Sequence, residues 1–242
     1  MDDEKYSSAP TYWFRPLHFH FDGGFGAVAD AFQEAALCLE SVLEENQFFN
    51  SYLPLAYLYR HAVELYLKSV IIIIHRGLEL PFGSQPSSAT PMIQPDEEWI
   101  PISSVHSLSK LCRYFKTLMD GNRTELLAAT STDWTALPKE LANWIALIET
   151  FDPRSTFFPC PGIGDAEKSE FRESSMADIL SSAGLSSEPM KVFSGFDENE
   201  GVIGIFKRDR SGLDKILTVL RDAADQLSIL HFVLRCELAG GN

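Results

Sequence analysis

Long apolar runs are missing from this chain of 242 residues. Within its most apolar stretch the longest uncharged run is Ser69 to Ile74, far short of the ~18 residues that a membrane-spanning helix requires. The opening MDDEKYSSAPTYW lacks the basic and then apolar order of a secretory signal. Cysteine is scarce and scattered. Cys38, Cys112, Cys160 and Cys236 form no C-x-x-C pair, which argues against disulfides and zinc ligands. Three of the four fall in apolar helical patterns, so reduced, buried thiols are expected. These absences point to a cytoplasmic protein with no membrane partner. Positive charge is also short: 20 Lys and Arg face 34 Asp and Glu, a net charge of −14. Nucleic-acid binders carry basic patches or stripes, and the only short basic cluster here is Lys207, Arg208 and Arg210. Tight, non-specific binding to phosphate backbones is excluded from the leading readings, and RNA is a disfavoured partner.

What is present centres on Asn50 to Arg76, NSYLPLAYLYRHAVELYLKSVIIIIHR. It has no internal Gly, and its one Pro sits near the start, where a helix tolerates it. At about 100° per residue, Leu55, Leu58, Tyr59, Ala62, Val63, Leu65, Tyr66, Val70, Ile73 and Ile74 cover roughly 200° of a helix. An apolar arc that wide needs neighbours on more than one side. The other sector carries Arg60, His61, Glu64, Lys68 and His75, with Tyr57 in line. The expectation is a core helix with one charged seam. Ile71 to Ile74 would also suit a buried strand, but they continue the 3.6-residue pattern without a breaker.

The rest of the chain supplies partners for that helix. Residues 1–12 read as a flexible tail. Leu17 to Asp22, LHFHFD, alternates as an extended segment would, and Gly23-Gly24 opens a helix over Phe25 to about Asn46. Gly77 to Ser104, rich in Pro, Ser and Gly, reads as a surface excursion. A helix capped by Ser103 or Ser104 follows over His106 to Asp120, and Thr124 to Ala129 forms another turn. A helix with Pro138 in its first turn then ends near Phe151-Asp152-Pro153. The segment 154–209 changes character: a Pro-rich piece, a short helix around Glu173 to Leu180, and a β-hairpin of MKVFSGF and GVIGIFK around DENE. The last helix, Gly212 to about Ala239, keeps three-four apolar spacing and matches the central helix in length, as an antiparallel partner would. The fold class is mainly α, an antiparallel helical bundle over 13–153 and 210–242, with a small α+β insert over 154–209.

Three motifs carry candidate chemistry. Gly24-Phe25-Gly26-Ala27-Val28-Ala29 matches G-x-G-x-x-A, but a helix follows where a dinucleotide fold needs a second strand, so a closely packed helix entry is expected. His18, His20 and Asp22 would share a face if extended, a metal-ligand spacing that half-buried edge strands also show; no metal or other cofactor is expected. The seam is the strongest. Arg60–Glu64 and Glu64–Lys68 are i,i+4 pairs, worth ~0.3–0.5 kcal/mol each when exposed. On a buried helix they need partners from elsewhere, and His106 with Asp152 or Arg154 would supply them. One reading is an ion network that fixes helix register. In the other, His61 or His106 moves a proton while Arg60 or Lys68 holds phosphate, and Tyr57, Glu64 and Lys68 bind ligand.

The run Arg60-His61-Ala62-Val63-Glu64-Leu65-Tyr66-Leu67-Lys68, followed by His106-Ser107-Leu108-Ser109-Lys110-Leu111 and Asp152-Pro153, resembles bacterial proteins related to the HEPN superfamily. The resemblance spans about Phe48 to Pro159 and leaves out the insert. It implies an α-helical bundle, often dimeric, of the kind common in bacterial defence and toxin systems, where many members are metal-independent ribonucleases using Arg, four to six residues, then His. Here that spacing occurs only from Arg15 to His20, ahead of the first helix, and Arg60 and His61 are adjacent. The expected function is therefore a HEPN-like binding or regulatory module, a homodimer that contacts a protein partner or a nucleotide through the seam. The alternative is a metal-independent ribonuclease using Arg60, His61 and His106.

Overall fold

The computed structural model describes residues 14–45, 50–134, 139–153, 171–183, 192–196 and 202–241. The tail 1–12, Pro138, Arg154, Cys160, the Pro-rich piece and DENE lie outside the described residues. The main helices are α1 (Phe25–Glu45), α2 (Tyr52–Gly77), α3 (Leu108–Gly121), α4 (Arg123–Ala129), α5 (Lys139–Phe151), α6 (Met176–Ala183) and α7 (Ser211–Leu238).

The central stretch is α2, including the four isoleucines. Pro54 stands in its first turn, where amides lack helical partners, and the Arg76 cation favours the negative end of its dipole. Every residue from Ala62 to His75 is buried, so the helix is enclosed on all sides. Its neighbours are α1, α3 and α7. Contacts to α1 run in opposite order along the two helices. The Tyr59 hydroxyl donates to Glu40 (2.8 Å), that of Tyr66 to Asp30 (2.6 Å), and Ser69 Oγ to Asp22 ahead of α1 (2.5 Å). The pair is an antiparallel hairpin.

Contacts to α7 run in the same order. Arg221 shares Glu40 with Tyr59, His231 lies 5.6 Å from the Tyr66 ring, and Leu238 covers Gly77. So α7 is parallel to α2, which corrects the expectation of an antiparallel pairing between these two. The cause is the route of the chain. The α3 helix runs alongside α2, from His106 beside Glu64 to Tyr114 beside His75. Then α5 returns, placing Asp152 beside Arg60 and Phe151 in a groove with Gly212 and Ile216 of α7. The chain leaves for the insert and re-enters at one end of the bundle. The antiparallel neighbours of α7 are α1 and α5.

Two local readings shift. The α3 helix is capped by Ser107, whose Oγ accepts from Lys110 N (3.3 Å), rather than by Ser103 or Ser104. Glu149 of α5 adds a second cap, accepting from Leu108 N (2.5 Å). The connection after α2 is more than a surface excursion. It pairs β1 (Met92–Ile93) with β2 (Ile100–Pro101) and sends Phe82, Ile93, Ile102 and Val105 into buried positions.

The insert holds the expected hairpin, β4 (Val192–Phe196) against β5 (Val202–Arg208). A third strand, β3 (Phe171–Glu173), pairs with the other side of β5. The short helix α6 begins after Ser175, whose Oγ accepts from Asp178 N (3.1 Å) while the Asp178 carboxylate accepts from Ser175 N (3.3 Å). Among the described residues no helix is long and apolar enough to cross a membrane.

Candidate functional site

The seam of α2 divides by depth. Arg60, Glu64 and Lys68 are 5%, 2% and 2% exposed. Glu64 is the hub. Its Oε1 accepts from Lys68 Nζ at 2.7 Å and lies 3.0 Å from His106 Nδ1, and its Oε2 lies 3.4 Å from Arg60 Nη1. Arg60 extends the network outward, with Nε 3.5 Å from Asp152 Oδ2 and Nη2 donating to the His106 carbonyl at 3.1 Å. Lys68 reaches the Ser103 carbonyl at 3.5 Å. Two cations and two carboxylates thus balance inside the bundle, and they tie α2 to the end of α5 and to the strap that leads into α3. A buried charge left without partners costs several kcal/mol, so the mutual pairing is what makes this arrangement tolerable.

The other sequence candidates stand at the surface. Tyr57 is 38% exposed. His61 is half-buried, with its ring edge-on to Phe32 at 4.4 Å and parallel to Tyr57 at 5.8 Å. Burial pushes the His61 imidazole below its ordinary pKa, with the Glu64 charge opposing that shift; positive charges on Lys68 and Arg60 depress it further. The His106 side chain is 64% exposed although its Nδ1 sits on buried Glu64. A proton on Nδ1 satisfies that carboxylate and leaves Nε2 as an acceptor. The structure therefore brings Arg60, Glu64, Lys68, His106 and Asp152 together and leaves Tyr57 and His61 beside them, outside the ion network.

The two glycine- and histidine-based motifs meet elsewhere. Leu17–Phe19 is a 3-10 turn, not an extended segment, so His18, His20 and Asp22 do not line one face. The turn follows from Pro16 before it and from positive φ at Gly23 (76°) and Gly24 (91°) after it. No group of three or more metal-ligating side chains occurs among the described residues. Asp22 instead binds the first amides of α1, accepting from Gly24 N (2.8 Å) and Gly26 N (2.6 Å). A Cβ on Gly26 would lie 2.2 Å from His231 Nε2, so the glycines serve a tight helix entry, as expected. His231 was not singled out in the sequence. Its register on α7, four residues after Leu227 and three before Leu234, was the available signal that it points inward. The thiols differ from expectation: Cys112 is buried, but Cys38 and Cys236 are exposed on α1 and α7, since the apolar arcs of those helices are narrower than their sequence patterns suggest.

Compared with family models, curated proteins and solved structures, the chain finds no match.

Proposed function

We propose that this chain is a HEPN-like binding and regulatory module of a bacterial defence or toxin–antitoxin system, cytoplasmic and homodimeric, whose contact face is the ridge Tyr57–His61–His106. The observation that carries this reading is the depth of the seam. Arg60 and Lys68 are sealed and taken up by Glu64 and Asp152, so neither presents a cation to a phosphate. What the seam offers to a partner is a strip of two imidazoles and a phenol, of the amphipathic, ring-rich composition that protein interfaces favour. The −14 charge fits a protein partner better than RNA. Light scattering on the purified protein, alone and as Tyr57→Glu/His61→Glu, tests the homodimer. A wild-type dimer that the exposed substitutions split supports the ridge; a wild-type monomer at high micromolar concentration, or a dimer indifferent to both charges, refutes it.

One observation favours a second reading. The His106 Nδ1–Glu64 contact holds an exposed imidazole on a buried carboxylate, the pairing that general bases use. In that reading the protein is a metal-independent ribonuclease in which His106 and His61 exchange protons with substrate. RNA cleavage that persists in EDTA and disappears in His106→Ala would establish it. Equal cleavage by wild type and variant would remove it.

A further inference from the structure

We propose that the start of α1 is an acid-sensitive latch, which holds the Phe14–Asp22 segment on the bundle at neutral pH and opens when His231 takes up a proton. One carboxylate closes the latch. Asp22 is 2% exposed. It accepts from Gly24 N (2.8 Å) and Gly26 N (2.6 Å), amides that have no helical partner, and from Ser69 Oγ of α2 (2.5 Å). Arg76 of α2 adds another tie to the segment, donating to the Phe21 carbonyl at 2.6 Å.

His231 of α7 faces this carboxylate without bonding to it. It is 2% exposed, its Nε2 makes no hydrogen bond among the described residues, and that atom stands 4.0 Å from Asp22 Oδ2. Gly26 is what permits the approach. The charged and titratable groups around the ring are Asp22 and His20 from the segment before α1, Asp30 from α1, and Arg235 from α7 itself. The α2 helix contributes the Tyr66 ring, whose hydroxyl is engaged with Asp30 and Gln33.

A neutral imidazole suits this place. A protonated one does not. In the cation Nε2 carries an N–H about 1 Å too far from Oδ2 for a hydrogen bond, and reaching it means drawing Asp22 away from Gly26 N or Ser69. Burial disfavours the cation more than Asp22 and Asp30 favour it, and Arg235 and His20 add repulsion. Opening relieves all of these at once, because the imidazole and the carboxylate both regain water. The released segment carries Phe14, Leu17 and Phe19, already 87%, 49% and 58% exposed, so opening would free an apolar arm. The G-x-G-x-x-A and His-x-His-x-Asp patterns supply the parts of this latch, the helix-entry glycines and Asp22.

The test is hydrogen exchange on the full chain at about pH 7.5 and about pH 5.5, corrected for the intrinsic rate, in wild type and His231→Gln. If the open form titrates near 6.5 and the closed form does not, protection of the amides from Gly24 to Val28 falls about tenfold between the two conditions. Amides in the middle of α2 stay unchanged, and His231→Gln abolishes the response. Protection that ignores pH in wild type, or that falls equally in His231→Gln, overturns the proposal. Should the variant fail to fold, histidine NMR of the wild type decides: a His231 titration that coincides with the opening supports the latch, and opening while His231 stays neutral overturns it.

Discussion

Replacing Glu64 by Gln removes the hub charge while keeping its shape. If the α2 ladder were solvated, its two i,i+4 pairs would together be worth ~0.6–1 kcal/mol. The structure places all three members at 5% exposure or less, with Lys68 Nζ 2.7 Å and Arg60 Nη1 3.4 Å from the carboxylate. In Glu64→Gln the Lys68 ammonium keeps neutral acceptors, the new amide oxygen and the Ser103 carbonyl at 3.5 Å, and loses its counter-charge. Breaking a buried pair in this way costs about 3–5 kcal/mol, which for a chain of this size lowers Tm by about 6–20 °C. Urea unfolding followed by circular dichroism measures the difference. The companion variant Glu64→Leu/Lys68→Met deletes both charges of the closer pair and leaves Arg60 with Asp152. It is expected to recover most of the loss, because two apolar chains replace two desolvated ions. Coupling between the two positions of at least ~2 kcal/mol is expected in the cycle closed by the single variants Glu64→Leu and Lys68→Met. A loss below ~1 kcal/mol in Glu64→Gln, or additive effects in the double variant, would refute the sealed network.

Gly26→Ala should destabilise by ~1–3 kcal/mol through the Cβ clash with His231 Nε2, and His231→Ala in the same chain should relieve much of it, which chemical unfolding of the three proteins will show. Stability should fall with acid in a window that starts near pH 6.5. Burial lowers the pKa of His61, His75 and His231 in the folded state, so below ~6.5 the unfolded chain binds protons that the folded chain refuses, until pH drops below the folded values. A urea midpoint that stays level or rises between about pH 7.5 and pH 5.5 would contradict this. Ser107→Ala should cost ~1 kcal/mol as a lost helix cap, and Glu149→Ala, which uncovers Leu108 N, should cost at least as much; equal thermal melts for these variants and wild type would remove the double cap.

The parts of this fold that the sequence disclosed are those governed by local periodicity. The wide apolar arc of Asn50 to Arg76 announced a helix covered on several sides, and α2 is buried throughout from Ala62 to His75. The hairpin showed itself in two apolar runs around a polar turn. What was hidden depends on local chain breakers and on contacts distant in sequence. His18 and His20 alternate like a strand, yet Pro16 and the two positive-φ glycines bend that piece into a turn. Strand β3 has only three residues and exists because β5 offers an open edge. The direction of α7 relative to α2 is set by how many times the chain crosses the bundle, a matter on which the periodicity of either helix is silent. The seam was legible as a row of charges, but its depth was not. Asp152 and His106 supply partners from 92 and 42 positions away in the one case and the other along the network, and only their arrival turns a surface ladder into a sealed one.

The parallel packing of α7 on α2 also bears on the making of the protein. Ile71 to Ile74 leave the ribosome with the segment ahead of α1 already made, but the part of α7 that runs beside them, His231 to Leu238, is encoded only about 160 residues later. At about 5–20 residues per second, that interval lasts on the order of ten seconds. For that time a strip of aliphatic side chains stays open to whatever is nearby, and the chain cannot close its longest-range contacts any sooner. A nascent protein of this design has reason to engage a chaperone while the insert is still being synthesised, and slowing translation within 154–209 would lengthen the exposure without changing a single residue.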